Sequence, residues 1–488
     1  MSSTSTGNYP KIAQLRTPQA LRERLHQLGV DLPIADQVLT AAEGSPLAKP
    51  LQVGRLTIGN RWCIHPMEGW DANRDGSPSE LTLRRWRRFG ISGAKLIWGG
   101  EAAAVQPRGR ANPNQTLATP ENERGLRQLL QTLQSAHQDA FGDLEGLAVG
   151  LQLTHSGRFC KPTDHHRLEP VIAYHHPILD RRFGIDAKDD SVVITDEQIE
   201  RLIDDYVAAA QTAQRVGFQF VDIKACHGYL LHEFLSARRR PGPFGGDLKG
   251  RARLLLTIID RVRDVCPELT IGVRLSVIDT LPYEAIDGKG CPAPWPEGQP
   301  YDCGFGVDPM DPSQPDLDEP LQLIGWLVDH GVELLNVTFS SPYYTPHIQR
   351  PAIFPPSDGY PPPEDPLVGV ARHVQITAEV KQRFPQLAIV GSGYTYLQDH
   401  LPRVAQEAVH RRMVDIVGLG RMVLSYPELP RDTLAGNPLA RKLICRTFSD
   451  CTTAPRNGLP SGCYPLDPFY KERPEREQLV EIKRRMES

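Results

Sequence analysis

Apolar residues along the chain fall into two alternating patterns. Short, nearly unbroken apolar runs such as "RWCIHP" (61–66), "AKLIWGG" (94–100), "LAVGLQL" (147–153) and "FQFVDIK" (218–224) have the length and composition of strands buried on both faces. Between them lie longer segments with one apolar face. In "TDEQIERLIDDYVAAAQTAQRVG" (195–217), Ile199, Leu202, Ile203, Tyr206 and Ala210 recur with the helical period, and Thr195 with Gln198 forms a capping box. The same reading gives a helix over 77–90, with Ser77 as cap, Pro78 in the first turn and Glu80 closing the box. It gives another over 119–137, opened by Thr119 and Pro120. A short N-terminal helix follows Thr17 and Pro18. The alternation then continues through "LTIGVRL" (269–275), "VELLNVTF" (332–339), "LAIVGSG" (387–393) and "VDIVGLG" (414–420). Helices are predicted over 250–266, about 318–331, 371–384 and 397–409, and a last one from near Ser425.

Eight strands alternating with helices predict an α/β fold, a (β/α)8 TIM barrel. The barrel should occupy 51–436, between an N-terminal extension (1–50) and a C-terminal extension (437–488) that carries a Cys cluster. A doubly wound sheet would place a phosphate loop after its first strand. Here that strand ends in "HPMEGW", and the glycine-rich turns follow strands seven and eight, where barrels bind phosphate. Two proline-rich segments, 281–317 and 342–366, follow strands five and six. Both should emerge on the catalytic face as lids or pocket walls.

Composition narrows the function classes. Lys+Arg 55 against Asp+Glu 59 gives a net charge of −4, so no field for nucleic acid is implied. The densest basic cluster, Arg84, Arg85, Arg87 and Arg88, reads as a solvated helix face with Trp86 and Phe89 on its buried side. No apolar run has membrane-spanning length, and the start, "MSSTSTGNYPKIAQLR", lacks a signal-peptide core. Nine sparse Cys predict a reduced, cytoplasmic protein with a small-molecule partner. A homo-oligomer stays open.

In a barrel, chemistry gathers where strands end. These ends supply Pro66, Met67 and Glu68; Glu101 and Ala102; Gln152; Lys224, His227 and Tyr229; Arg274; Asn336, Thr338 and Ser340; then "GSG" (391–393) and "GLGR" (418–421). The glycine turns let backbone N–H groups approach an anion, and Arg421 adds a bidentate contact. Arg274 lies inside an apolar strand and needs an anionic partner, either a carboxylate such as Glu101 or a ligand across the barrel mouth. With the donor and acceptor of Gln152, the set suits a planar heterocycle with a phosphate tail, such as flavin mononucleotide.

The ordered blocks "HPM", "LIWGGEAAAVQPRGR", "GLQLTHSGR", "IKACHGYLLHEFLS", "GVRLS", "ELLNVTF", "IVGSG" and "VDIVGLGR" resemble the old yellow enzyme family over about residues 50–436. That family includes ene-reductases, 2,4-dienoyl-CoA reductase and trimethylamine dehydrogenase, and its fold is a barrel carrying FMN. The resemblance implies that Pro66 and Met67 lie beside the reactive edge of the flavin, and Ala102 and Gln152 at its pyrimidine end. It places Arg274 at the N1/O2 locus and Gly393, Gly420 and Arg421 at the phosphate. Tyr229 matches the family's proton donor. NADH or NADPH would reduce the flavin, and hydride would pass to an electrophilic C=C next to a carbonyl or carboxylate. The chain departs from the pattern at Lys224 and His227, where members carry His-x-x-His or His-x-x-Asn, and at Glu68, where Thr, Cys or Gly is usual. Lys224 could pair with Glu68 or grip an anionic substrate.

Iron–sulfur members carry C-x2-C-x3-C-x11-C after the barrel. Cys451 and Cys463 match its last spacing, but Ile444 and Thr447 fill the earlier positions and Cys445 is out of register. Neither a metal nor an iron–sulfur cluster is therefore expected, and the chain ends too soon for the extra nucleotide-binding domains of the large dienoyl-CoA reductases. Three alternatives remain: a flavin-dependent amine or C–H dehydrogenase, a Schiff-base lyase using Lys224, and a non-catalytic FMN carrier.

Overall fold

A computed structural model of the chain describes residues 9–487. The start of the chain on which the signal-peptide expectation rests falls largely in residues 1–8, outside the described residues. The barrel strands are β1 (Trp62–Ile64), β2 (Leu96–Ile97), β3 (Ala148–Thr154), β4 (Phe220–Ile223), β5 (Thr270–Ser276), β6 (Leu334–Thr338), β7 (Ala388–Gly391) and β8 (Ile416–Leu419). All neighbours pair in parallel, and the ring closes where Val417 of β8 faces Trp62 of β1. The fold is the expected (β/α)8 TIM barrel.

Each strand is buried along its length because helices cover its outer side. Inside, Cys63, Trp98, Phe220, Leu334, Val390 and Ile416 form one cluster. The room for Phe220 comes from Gly150, whose Cβ would stand 2.4 Å from that ring. An antiparallel hairpin, Leu51–Val53 with Leu56–Ile58, brings Val53, Leu56 and Ile58 against Ala148, Leu334 and Ala388 at the strand starts. It plugs the end of the barrel away from the loops that carry chemistry.

Several sequence-level expectations hold at the helix ends. Thr17 accepts a hydrogen bond from Ala20 N–H, and the Thr195–Gln198 capping box is present. The helix expected from Ser77 instead begins at Glu80 and runs as α1 (Glu80–Gly90), capped by Ser79. Ser77 is engaged by the Asp75 carboxylate in the preceding turn, so the chain starts winding two residues later. Pro120 opens a 3-10 turn (Pro120–Asn122) in front of the helix Glu123–Phe141. Near Ser425 the chain ends one short helix, Met422–Ser425, and starts the next at Leu429.

The basic cluster of α1 is not a solvated face. Arg85 is buried in an ion-pair triad with Asp71 (2.6 Å) and Glu101 (2.5 Å). Arg84 reaches Asp467 of the C-terminal segment at 2.9 Å, and Arg88 points to the same carboxylate. Of the four, Arg87 alone is exposed. The spacing that puts Trp86 and Phe89 inward also brings Arg85 to the core edge, where two carboxylates from strand-end loops meet it.

The two proline-rich loops pack on each other. The first folds as a hairpin, Tyr283–Ile286 with Lys289–Pro292, and Gly290 N–H donates to the carbonyl of Pro361 in the second. That second loop holds a turn of helix, Pro346–Gln349, followed by Arg350. Among the described residues no helix is long and apolar enough to cross a membrane.

Candidate active site

The catalytic-face ends of the strands open into two adjoining pockets. The first is walled by His65, Pro66, Met67, His227 and Arg274 on one side and by Ser392, Gly393, Gly420 and Arg421 on the other. Arg274 projects from β5 and is 6 % exposed, yet it has no ion-pair partner among the described residues, and its Nε has no hydrogen bond. Glu101, the carboxylate considered for it, is engaged by Arg85. Arg421 donates from Nη2 to the Pro351 carbonyl at 3.0 Å, while its buried Nη1 has no partner.

These orphan donors in the lining of one cavity fit a ring that carries an anionic locus and a phosphate tail. Beside Arg421, a Cβ on Gly420 would meet only Met67 Sδ, at 3.9 Å, so its backbone is open to the cavity. The residues present therefore fit FMN.

His65 forms part of the floor. Asn336 Nδ2 lies 3.0 Å from its Nδ1, and Ser392 Oγ 3.2 Å from its Nε2. Its ring occupies the space that a Cβ on Gly418 would take, 2.1 Å away. Burial, helped by the Arg274 charge, holds this imidazole well below its ordinary pKa, so it is neutral. Gln152 and Ala102 stand outside this lining. Gln152 Nε2 donates to the buried Asp222 at 2.5 Å, and the same carboxylate accepts from Trp98 Nε1 and from Arg274 N–H. Burial lifts the pKa of Asp222 to about 6, and these donors oppose the rise.

The second pocket holds Glu68, Lys224, His227, Tyr229 and, from a neighbouring wall, Trp70 and Tyr343. Trp70 Nε1 donates to Glu68 Oε1 at 2.7 Å, and Tyr229 OH lies 3.4 Å from Glu68 Oε2 and 3.1 Å from Tyr343 OH. Lys224 does not reach Glu68 as an ion pair. Its Nζ lies 3.7 Å from the centroid of the Tyr229 ring, a cation–π contact. Burial raises the pKa of Glu68 and lowers that of Lys224, and their mutual attraction only partly offsets it, because they are not in contact. Burial also holds Tyr229 well above the ordinary phenol range, with the Glu68 charge adding to it, so the hydroxyl keeps its proton.

His227 sits at a left-handed φ of 67°, a strained conformation for a residue with a side chain. The strain is held by its N–H donating to Ser276 Oγ (3.1 Å) and by Gln349 Nε2 at 3.3 Å from its Nε2. Its pKa is driven well below the ordinary value by burial and by the nearby Arg274 and Lys224 charges. With Nε2 accepting from Gln349, the ring proton resides on Nδ1.

The roof of both pockets was not legible in the strand pattern. It comes from Arg350, after the short helix Pro346–Gln349, and from Cys451 and Thr452 of the helix Asp450–Arg456 in the C-terminal segment. Arg456 of that helix faces the second pocket, with its guanidinium 5.1 Å from the Tyr343 centroid, and pairs with Asp358. Among the described residues no group of three or more His, Cys, Asp or Glu could hold a metal.

A family profile described as NADH:flavin oxidoreductase / NADH oxidase matches residues 46–286. An NADH:flavin oxidoreductase of Gibberella zeae is 26% identical over 396 residues, covering 78% of this chain and 83% of that protein. An NADPH dehydrogenase of Halalkalibacterium halodurans is 25% identical over 382 residues, with coverage of 77% and 90%. Among solved structures, the old yellow enzyme homologue from Zymomonas mobilis superposes with a TM-score of 0.56 at 21% identity, covering 82% of this chain and 95% of that one. The closed barrel, the cavity at its strand ends and these matches agree: over residues 46–286 by its profile, and over most of its length by these relatives, the chain is similar to the NADH:flavin oxidoreductase / NADH oxidase family.

Proposed function

We propose that the protein is an FMN-dependent NAD(P)H oxidoreductase that reduces an electrophilic C=C conjugated to a carbonyl or carboxylate. The observation that carries this reading is the pair of orphan guanidinium donors, Arg274 and Arg421, in the lining of one cavity. When bound, FMN supplies hydride transfer. Arg274 then balances the negative charge of the ring, while Gly393, Gly420 and Arg421 hold the phosphate. Pro66 and Met67 line the ring's edge. Lys224 and His227 orient the activating oxygen of the substrate, Lys224 as a point charge and His227 through its Nδ1–H. Tyr229 protonates the carbon next to the carbonyl. Its hydroxyl already keeps a proton, and Lys224 over its ring stabilises the phenolate that forms. Glu68 accepts a hydrogen bond from the Tyr229 hydroxyl and orients it, and solvent replaces the proton that Tyr229 gives up. Burial also makes the Lys224 amine more nucleophilic, as a Schiff-base lyase needs. Similarity to the flavin oxidoreductases and the orphan guanidinia favour the redox reading.

Arg274→Ala should reduce retained FMN or make its reduction potential more negative, since the reduced ring loses its counter-charge. Flavin content and potential measured on folded protein check this, and both unchanged would displace Arg274 from the ring.

Lys224→Met should raise KM or lower kcat for enoic acids by about tenfold or more, the cost of a few kcal/mol for a lost charged contact. Paired enones and enoic acids, assayed with both proteins, give the answer. If neutral enones react as well as the acids and the substitution affects both alike, Lys224 does not bind an anion.

A further inference from the structure

The two pockets are rich in positive charge. Arg274, Arg421, Lys224, Arg350 and Arg456 line them, against a single acidic lining residue, Glu68. Four of the five have an evident electrostatic partner. Arg274 and Arg421 face the proposed flavin, Glu68 lies in the same pocket as Lys224, and Asp358 pairs with Arg456. Arg350 has none. Among the described residues it makes no ion pair, its Nη1 donates to Thr452 Oγ1 at 2.5 Å, and its buried Nη2 has no hydrogen-bond partner.

Its placement is fixed rather than incidental. Arg350 N–H donates to the Pro346 carbonyl, and the carbonyl of the next residue, Pro351, accepts from Arg421. The side chain borders both pockets, between the cavity that suits the flavin and the pocket holding Lys224, His227 and Tyr229. A partly buried guanidinium without a counter-charge is costly, and burial beside Arg456 and Arg421 presses against its charged state. The fork of a guanidinium matches a carboxylate with two parallel hydrogen bonds, and Nη2 is free to make one.

We propose that Arg350 is a specificity-determining residue that binds a second anionic group of the substrate, a carboxylate remote from the reacting double bond, so that the preferred substrates are unsaturated diacids. This rests on the flavin-reductase reading above: Lys224 and His227 take the group conjugated to the C=C, and Arg350 takes the far one. The Thr452 hydroxyl positions the guanidinium, so the C-terminal segment contributes to selectivity through it.

The test uses the purified holoenzyme with glutaconic and 2-hexenedioic acids, each against its monoester at the remote carboxylate. The diacids should have the higher kcat/KM. In Arg350→Met that preference should fall by about tenfold or more, whereas Arg350→Lys, which keeps the charge but loses the fork, should show a smaller fall. Thr452→Val, which leaves Nη1 without its acceptor, should lower the same preference and serves if Arg350→Met does not fold. FMN content and the rate of flavin reduction by NAD(P)H are read separately. Wild-type enzyme that does not distinguish diacid from monoester overturns the proposal, as does an equal loss for both in the folded variants. So does a loss in Arg350→Met confined to FMN content or to the NAD(P)H step, since Arg350 would then serve a phosphate of the cofactor or nucleotide. Wild-type protein that binds no FMN removes the flavin-reductase reading itself and the proposal with it.

Discussion

Tyr229→Phe is expected to lower the rate of substrate reduction by about 10²–10⁴-fold, the range for loss of a positioned general acid. The phenol is buried, keeps its proton and stands within reach of Glu68 and Tyr343, so the substitution deletes one hydroxyl from a closed polar group. Phe preserves the ring that lies under Lys224 Nζ. Packing should therefore survive, and the loss should concentrate in the half-reaction that consumes the substrate. Stopped-flow measurement of the two halves separates them. A slowed reoxidation by substrate, with reduction by NAD(P)H much less affected, is the expected pattern. Equal slowing of both halves would mean that Tyr229 shapes the pocket rather than supplying a proton.

A second large effect concerns stability. Arg85→Met should cost about 3–5 kcal/mol, the usual penalty for removing one partner of a buried ion pair. Arg85 holds Asp71 through two hydrogen bonds and Glu101 through two more, and Gly69 N–H also approaches Glu101. Burial, with Asp71 and Glu68 near, already lifts the pKa of Glu101 to about 7. In the variant both acids must either take protons or pull in water. The loop from Met67 to Asp71 would loosen as a result, and it carries Glu68 into the second pocket. Denaturant unfolding gives the stability loss. A midpoint shift equivalent to less than 1 kcal/mol would mean that the triad relaxes without cost.

The fold was legible because the barrel's signal is local. Eight apolar runs and the helices between them can be recognised one at a time, and their order alone dictates the closed sheet. The strand ends were legible for the same reason: Arg274, Lys224 and Arg421 each follow or interrupt an apolar run, and the structure brings them to the two adjoining pockets. Side-chain pairing was much less legible. Arg85 lies at a helical position that also fits a solvated face, and only the convergence of Asp71 and Glu101 decides its burial. Lys224 and Glu68 have opposite charges and line the same pocket, yet the amine settles over an aromatic ring. Gln152 has the right chemistry for a ligand but spends its amide on Asp222, a partner two strand ends give no hint of. Arg350 lies in the proline-rich segment 342–366, which the sequence marks as a pocket wall, but Cys451 and Thr452 lie in a terminal segment without periodicity, where nothing local points to a wall.

The C-terminal roof also constrains how the protein is made. β1 must wait for β8, at Ile416–Leu419, before the ring can close, and the roof residues Cys451, Thr452 and Arg456 follow later still. On a translating ribosome these residues emerge after the barrel strands, so the loop-bearing face is covered only once the sheet can already close. Asp467 then draws the tail onto α1 through Arg84. Chains shortened before Asp450 would complete the sheet but leave its mouth open to water, and they should accumulate as folded, poorly selective enzyme rather than as aggregates.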